Sequence, residues 1–480
     1  MDLRRVLVVL QLGLLLACSC NGNFVFNVER KFSGPVRNLS AFKAHDVLRH
    51  GRLLAAVDIP LGGNGLPSSA GLYYTKIGLG NPSKEYYVQV DTGSDILWVN
   101  CIDCNKCPKK SDLGVKLSLY DPSSSSSSSQ VDCGDDFCTS MYGGELSGCK
   151  KNVKCEYRVV YGDGSETVGY FVKDQVQLDS VTGNLQTSKL NGSVIFGCGA
   201  QQSGELGSSS EALDGIIGFG QSNTSLLSQL ALAGKVPKVF SHCLDSTNGG
   251  GIFTIGEVVS PKVNTTPIVP NQAHYNVVLK DIDVDGTVLD LPSDVFDTGD
   301  RKGTIVDSGT TLAYLPEVVY EAMMTQIMAK HQGLTLHTVE DQFQCFEYTA
   351  NVDNGFPDVT FHFKNSLTLI VHPHDYLFQV RDDAWCFGWQ NSALQSKDSA
   401  DMTLLGDLVL SNKLVVYDLD NQVIGWTPYN CSSSIQVKDD SSGTTFSVGA
   451  NDLSGATELT RGGRLGAFVL LLLVIFHRLT

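Results

Sequence analysis

Val88-Gln89-Val90-Asp91-Thr92-Gly93-Ser94 sets an acidic residue between an apolar strand and a glycine turn, and Thr304-Ile305-Val306-Asp307-Ser308-Gly309-Thr310-Thr311 repeats the arrangement 216 residues later. Each copy runs on into a second apolar segment, Ile96-Leu97-Trp98-Val99 in the first and Leu312-Ala313-Tyr314-Leu315 in the second. Further along each half comes another matching element, Leu213-Asp214-Gly215-Ile216-Ile217-Gly218 and then Leu404-Leu405-Gly406-Asp407-Leu408. The same order of elements met twice predicts two related lobes with a cleft between them.

Around these copies the chain is written in short strands. Leu72–Leu79, Glu85–Val90, Ile96–Val99, Tyr157–Val160, Val194–Phe196, Val277–Leu279 and Leu414–Tyr417 are β-branched or aromatic runs bounded by Gly, Pro, Asn and Asp. Helical periodicity is scarce and is clearest over Glu317–Lys330, after Pro316. The fold class expected is all-β and bilobal, two barrel-like lobes with few short helices. The seven serines Ser123–Ser129 read as an exposed loop, having nothing to bury. Ser432–Ser454 reads as a Ser/Gly-rich stalk.

Composition narrows the function. A chain of 480 residues that is 42% hydrophobic can bury large cores, which excludes disorder throughout. The net charge of -16 and the lack of any basic run longer than two residues argue against a nucleic-acid binder. Charge is also unevenly spread. Residues 23–57 carry six Lys/Arg against Glu29 and Asp46, a net of +4, whereas residues 58–454 hold 24 Lys+Arg against 47 Asp+Glu, a net of -23. A basic leader before an acidic body reads either as a propeptide that covers an acidic cleft and is released when carboxylates protonate, or as a solvated linker.

The two ends read as addresses. Residues 1–22 run from Arg4 and Arg5 through the apolar Val6–Ala17 into small residues, the pattern of a secretory signal peptide. The apolar run Leu465–Phe476 would span about 18 Å as a helix, short of a hydrocarbon core of about 30 Å. With Ser454-Gly455-Ala456 and a polar spacer before it, this end reads as a GPI-attachment signal, with Ser454 as the attachment residue and residues 455–480 removed; a single-pass helix and a plain appendage are the alternatives. Five sequons, at Asn38, Asn191, Asn223, Asn264 and Asn430, suit a secreted surface. Fourteen cysteines point the same way, to an oxidising compartment.

Asp91 and Asp307 are the candidate catalytic pair. Hydrolysing a peptide bond without a metal or a covalent nucleophile needs one group to deprotonate water and another to protonate the carbonyl or the leaving nitrogen. Two carboxylates about 3 Å apart cannot both ionise, so they share one proton and suit that task. No cofactor and no metal are expected. Gly93 and Gly309 are expected to allow the tight turn that brings each Asp to the cleft floor, where a Cβ would crowd the approach.

With these residues in place, the chain resembles the pepsin-like aspartic proteases, and within them the plant nepenthesin-like and nucellin-like members, over about residues 70–431. The resemblance rests on the two Asp loops, Tyr161-Gly162-Asp163-Gly164-Ser165, Phe240-Ser241-His242-Cys243-Leu244 and Leu404 to Trp426. It implies that Ser94 and Thr310 bond the outer carboxylate oxygens, and that Thr92 and Ser308 tie the two loops together. It further implies that Tyr161 and Gly162 belong to a flap over the cleft, with Trp98 bonded to Tyr161. Read without the resemblance, Trp98 is a core residue. Asp163 is expected to shape the flap turn.

Seven cysteines crowd between Cys101 and Cys155. Cys101-x-x-Cys104-x-x-Cys107 superficially resembles a zinc knuckle, but secretion favours disulfides, and an odd number requires at least one partner outside the stretch. The resemblance makes this stretch the cysteine-rich insertion of nepenthesin-like proteases and pairs Cys345 with Cys386. It leaves no room for a saposin-like insert in the second lobe. His372-Pro373-His374 reads as a surface turn rather than a metal site, and His242 beside Cys243 cannot form a thiol dyad, because neighbours on a strand face opposite ways.

The expected domains are residues 58–268 and 269–431 for the two lobes, with the leader, stalk and tail outside them. The expected function is a secreted or cell-surface aspartic endopeptidase, made as a zymogen, monomeric, held at the plasma membrane by a GPI anchor and acting on proteins or peptides at acidic pH. The alternative is an inactive pepsin-like scaffold used for binding or inhibition.

Overall fold

The computed structural model describes residues 54–453, apart from 68–70, 300, 332, 340–342, 395–398 and 441. The signal segment, Asn38, Ser454 and the apolar tail lie outside the described residues.

Both halves are built on one motif. In the first, Gly215–Gly218 lies between Lys84–Asp91, to which it is parallel, and Leu97–Asn105, to which it is antiparallel. In the second, Asp401–Leu405 lies in the same way between Lys302–Val306 and Ala313–Leu315. The third strand therefore fills the gap opened by each Asp turn. Gly218 sits level with Asp91, and Leu405 with Val306, so each acidic residue emerges at a strand end held on both sides.

A fifteen-stranded sheet carries the first half and joins it to the second. Its longest members, Glu166–Gly183 and Gln186–Ser203, form a hairpin of which the sequence reading caught only Val194–Phe196. Lys413–Asp418 and Val423–Pro428, assigned to the second lobe by position in the chain, add to this sheet beside Val239–Leu244. The boundary at 268/269 is thus crossed by strands from the far end of the chain. The predicted helix appears as Glu317–Met328 and buries Val319, Met323 and Ile327.

Three stretches depart from the expected organisation. The leader was expected to run to residue 57, yet Val57–Asp58 is a strand between Gly251–Ile255 and Glu166–Gly183, and the Ala55 N–H donates to the Lys235 carbonyl at 2.8 Å. Residues 55–57 therefore belong to the folded body. The serine run is only partly exposed, because Asp174, itself buried, accepts hydrogen bonds from Ser127 and from Tyr120 Oη, the latter at 2.6 Å. Its hydroxyls satisfy a buried carboxylate.

Nor is 432–453 a stalk. Ser434–Asp439 and Thr444–Gly449 form a hairpin that extends Glu257–Ser260. Ile435, Val437 and Val448 are buried with Ile252, Leu414 and the Cys243–Cys431 disulfide. The segment ends with the Leu453 N–H donating to the Leu61 carbonyl at 2.8 Å. Burying these apolar side chains outweighs the flexibility that the Ser and Gly content suggests.

Among the described residues there are six disulfides. Cys101 reaches out of the cysteine-rich stretch to Cys198; Cys104 pairs with Cys107, Cys133 with Cys149, Cys138 with Cys155, and Cys345 with Cys386. The knuckle-like trio is thereby fully oxidised. Cys243–Cys431 closes 188 residues, which removes about 5 kcal/mol of denatured-state entropy on the chain-closure estimate.

Candidate active site

The two Asp loops meet where the halves join. Asp91 and Asp307 are 6% and 8% exposed, and each presses on the glycine of the opposite loop. A Cβ on Gly309 would stand 1.9 Å from Asp91 Oδ1, and one on Gly93 would stand 2.6 Å from Asp307 Oδ2. Neither glycine adopts a positive φ. Their role is the close approach rather than the turn.

Each carboxylate is held by its own loop. Gly93 N–H donates to Asp91 Oδ1 at 2.8 Å and Ser94 Oγ donates to Asp91 Oδ2. In the second loop, Gly309 N–H donates to Asp307 Oδ1 at 2.8 Å and Thr310 Oγ1 to Asp307 Oδ2 at 2.7 Å. Burial, and next the facing charge of Asp307, push the Asp91 carboxyl up to about 7, while the Ser94 hydroxyl and the Gly93 and Ser94 N–H groups partly offset this.

The tie between the loops is one-sided. Thr92 Oγ1 accepts the Ser308 N–H at 2.8 Å and reaches Asp307 Oδ1 at 3.4 Å. The Ser308 hydroxyl, expected to mirror it, is buried with no hydrogen-bond partner among the described residues.

Above Asp91, Glu156–Val160 and the start of Glu166–Gly183 form a hairpin whose turn is Tyr161–Ser165. Trp98 Nε1 donates to Tyr161 Oη at 2.7 Å, and the Tyr161 side chain lies close enough to Asp91 and Ser94 for burial, then the Asp91 charge, to push its hydroxyl well above the usual tyrosine range. Gly162 is exposed, and a Cβ placed on it would meet no atom of the described residues within 4 Å. Asp163 accepts from Ser165 N–H at 2.9 Å and from its hydroxyl at 2.7 Å, so it closes the turn.

Other residues lie elsewhere or surfaced only in the structure. Asn191, Asn223, Asn264 and Asn430 are exposed. His372 and His374 stand at a one-turn helix, Pro373–Tyr376, and bond Asp358 and Asp353 respectively. Cys243 is in its disulfide and His242 faces Tyr417. Sequence reasoning missed Asp407, which is fully buried behind the pair; burial and then the charges of Asp307 and Asp91 raise its carboxyl far above the normal range. The signal was the acidic residue within Leu404-Leu405-Gly406-Asp407.

Two lobes of one motif, each presenting a buried Asp to the other across their junction, define the bilobal aspartic protease fold. The sequence matches the family described as Xylanase inhibitor N-terminal over residues 73–257 and Xylanase inhibitor C-terminal over residues 274–428. It is 57% identical to Aspartic proteinase 36 of Arabidopsis thaliana, covering 96% of this chain and 95% of that one, and 54% identical to Aspartic proteinase 39 of the same plant over the same shares. Aspartic proteinase nepenthesin-2 of Nepenthes gracilis is 27% identical, covering 76% of this chain and 79% of its own. Among solved structures, edgp aligns with a TM-score of 0.62 at 18% identity, over 78% of this chain and 95% of its own. The soybean Basic 7S globulin aligns at 0.61 with 21% identity, over 78% and 96%. The chain belongs to the pepsin-like plant aspartic proteases, and it is an aspartic-type endopeptidase acting on proteins or peptides.

Proposed function

We propose that Asp91 and Asp307 are the catalytic dyad of this endopeptidase and that it works on the acid side of neutrality. The reciprocal packing of each carboxylate on the opposite glycine carries this reading, because such a pair holds one proton between two acids. The ionised carboxylate takes a proton from water as the oxygen attacks the scissile carbonyl. The protonated partner gives its proton to the carbonyl oxygen, producing a gem-diol. Collapse of the gem-diol returns a proton to the leaving nitrogen and breaks the C–N bond. Tyr161, tethered by Trp98, closes over the bound chain and excludes water.

The rest of the reading follows from the chain ends. A signal peptide, a basic leader removed on activation and a GPI anchor at Ser454 make a zymogen delivered to the outer face of the plasma membrane, with glycans at the four exposed sequons. An inactive binding scaffold would call for loss of a dyad carboxyl, and both are present.

The test is cleavage of a denatured protein by the acid-treated mature enzyme across pH, with and without pepstatin. Activity is expected to be pepstatin-sensitive, strong near about pH 4 and lost as pH rises through about 7, where Asp91 gives up the shared proton. Cleavage that is insensitive to pepstatin and undiminished above neutrality would sink the assignment. For the flap, Trp98→Phe keeps the ring but removes the donor to Tyr161. It is expected to lower kcat/KM about five-fold, the equivalent of about 1 kcal/mol for one hydrogen bond. Unchanged steady-state kinetics would make Trp98 a packing residue only.

A further inference from the structure

Lys413 is the one buried lysine or arginine among the described residues. It opens the strand Lys413–Asp418, which belongs to the sheet that joins the two halves. Its ammonium donates to Asp375 Oδ2 at 3.0 Å and to the Ser411 carbonyl at 3.2 Å. Asp375, buried as well, sits in the one-turn helix Pro373–Tyr376. Its Oδ2 also accepts the His372 N–H at 3.1 Å, and His374 Nε2 stands 3.7 Å from its other oxygen.

Stability alone does not account for this pair. Taking an ammonium and a carboxylate out of water costs about as much as their attraction returns, and apolar residues of similar volume would fill the space as well. What those residues would lack is a donor for the Ser411 carbonyl. Ser411 closes the one-turn helix Asp407–Leu410, its N–H donating to the Asp407 carbonyl at 2.8 Å. The other end of that turn holds the second Asp loop: Asp407 N–H donates to the Thr310 carbonyl at 2.7 Å, and Leu408 N–H to the Thr311 carbonyl at 3.0 Å. Thr310 in turn bonds Asp307 through its hydroxyl. The fit is close. A Cβ on Gly406 would stand 2.3 Å from the Thr310 carbonyl oxygen, and one on Gly388 would stand 1.9 Å from Leu408 Cδ2. A shift of the turn is therefore passed to the loop.

We propose that Lys413 is a positioning residue for Asp307: held by Asp375, it fastens the turn Asp407–Leu410 from behind and so sets where the Thr310 hydroxyl meets the Asp307 carboxyl. This rests on the dyad reading above. The loop of Asp91 is held differently. Phe219 N–H donates to the Asp91 carbonyl at 2.7 Å and Gly220 N–H to the Ser94 carbonyl at 2.9 Å, with no buried cation behind either among the described residues. Lys413 thus supports one member of the pair. Lying behind the loop, it touches no substrate, and its effect falls on kcat rather than KM.

Lys413→Met keeps the length of the side chain and removes the donor. In the mature enzyme, assayed well below its melting temperature, kcat is expected to fall about ten-fold with KM within about two-fold, because a small misplacement of a reacting group is costly in rate. The change also leaves the Asp375 carboxylate buried alone, so the melting temperature should drop. Lys413→Met combined with Asp375→Leu separates the two effects. The melting temperature should return to within a few degrees of the parent, while kcat stays about ten-fold down, the Ser411 carbonyl still having no donor. A fall in kcat that tracks the melting temperature across the two variants, or parental kcat in either, would reduce the pair to packing. Should neither variant fold, nitrogen NMR of the unaltered, lysine-labelled protein decides: one ammonium shielded from exchange with water supports the proposal, and none slower than the surface lysines overturns it. Failure of the dyad reading would look different, as pepstatin-sensitive activity that survives Asp307→Asn with Lys413 in place.

Discussion

Asp307→Asn and Asp91→Asn are each expected to lower kcat/KM by at least about 10³-fold while the protein folds as before. Asparagine matches the shape of aspartate, and the bonds around residue 307 can adapt. The Gly309 N–H still finds a carbonyl oxygen, and the Thr310 hydroxyl can turn from donor to acceptor. What is lost is the shared proton, and with it one of the two transfers that hydrolysis needs. Stability should move the other way above neutrality. The Asp91 carboxyl is raised above its unfolded value, so its contribution to stability is complete below about pH 4 and is lost as pH rises through about 7. Removing the Asp307 charge removes the second cause of that rise, and Asp307→Asn should therefore melt higher than the parent near about pH 8. Retained activity, or a melting temperature that falls at both ends of the pH range, would contradict the account.

Gly309→Ala is expected to be nearly as damaging, by about 10²-fold or more in kcat/KM, although it adds one methyl group and removes no chemical function. The new carbon would stand 1.9 Å from Asp91 Oδ1 and 2.6 Å from its Cγ. Asp91 cannot simply yield, because Gly93 N–H and Ser94 Oγ hold both of its oxygens. Either the carboxylate rotates out of line with Asp307 or the two loops part, and overpacking of this kind costs about 1–3 kcal/mol of stability. Gly93→Ala meets Asp307 at a looser 2.6 Å and should be the milder of the two. Equal, small effects on activity and melting would mean that the loops are less tightly opposed than the structure has them.

Much of the site could be read in the chain because it is written twice. A lone Asp-Thr-Gly says little, but two copies in apolar frames, each with its third strand, fix the core of both halves. Repetition gave no help where residues matter through tertiary approach alone. Asp407 carries no local mark of the pair it lies behind. The hairpin of Glu166–Gly183 was obscured by its polar letters: Lys173, Gln175, Gln177 and Asp179 alternate with the buried Val172, Asp174, Val176 and Leu178, a period-two pattern that composition hides. The C-terminal hairpin failed for a related reason. Serine and glycine dominate it, yet Ile435 and Val437 sit two apart and face one core.

That hairpin also bears on the anchor proposed at Ser454. A flexible stalk of about 22 residues would hold its ends about 25 Å apart on average, whereas the single step from Leu453, bonded to Leu61, to the proposed anchor at Ser454 spans about 3.5 Å. If Ser454 carries the proposed anchor, almost no flexible peptide would separate the folded body from it, and the protein would be held near the bilayer and meet substrates confined to the same surface. Release of that anchor would then free the enzyme without altering a residue of the cleft.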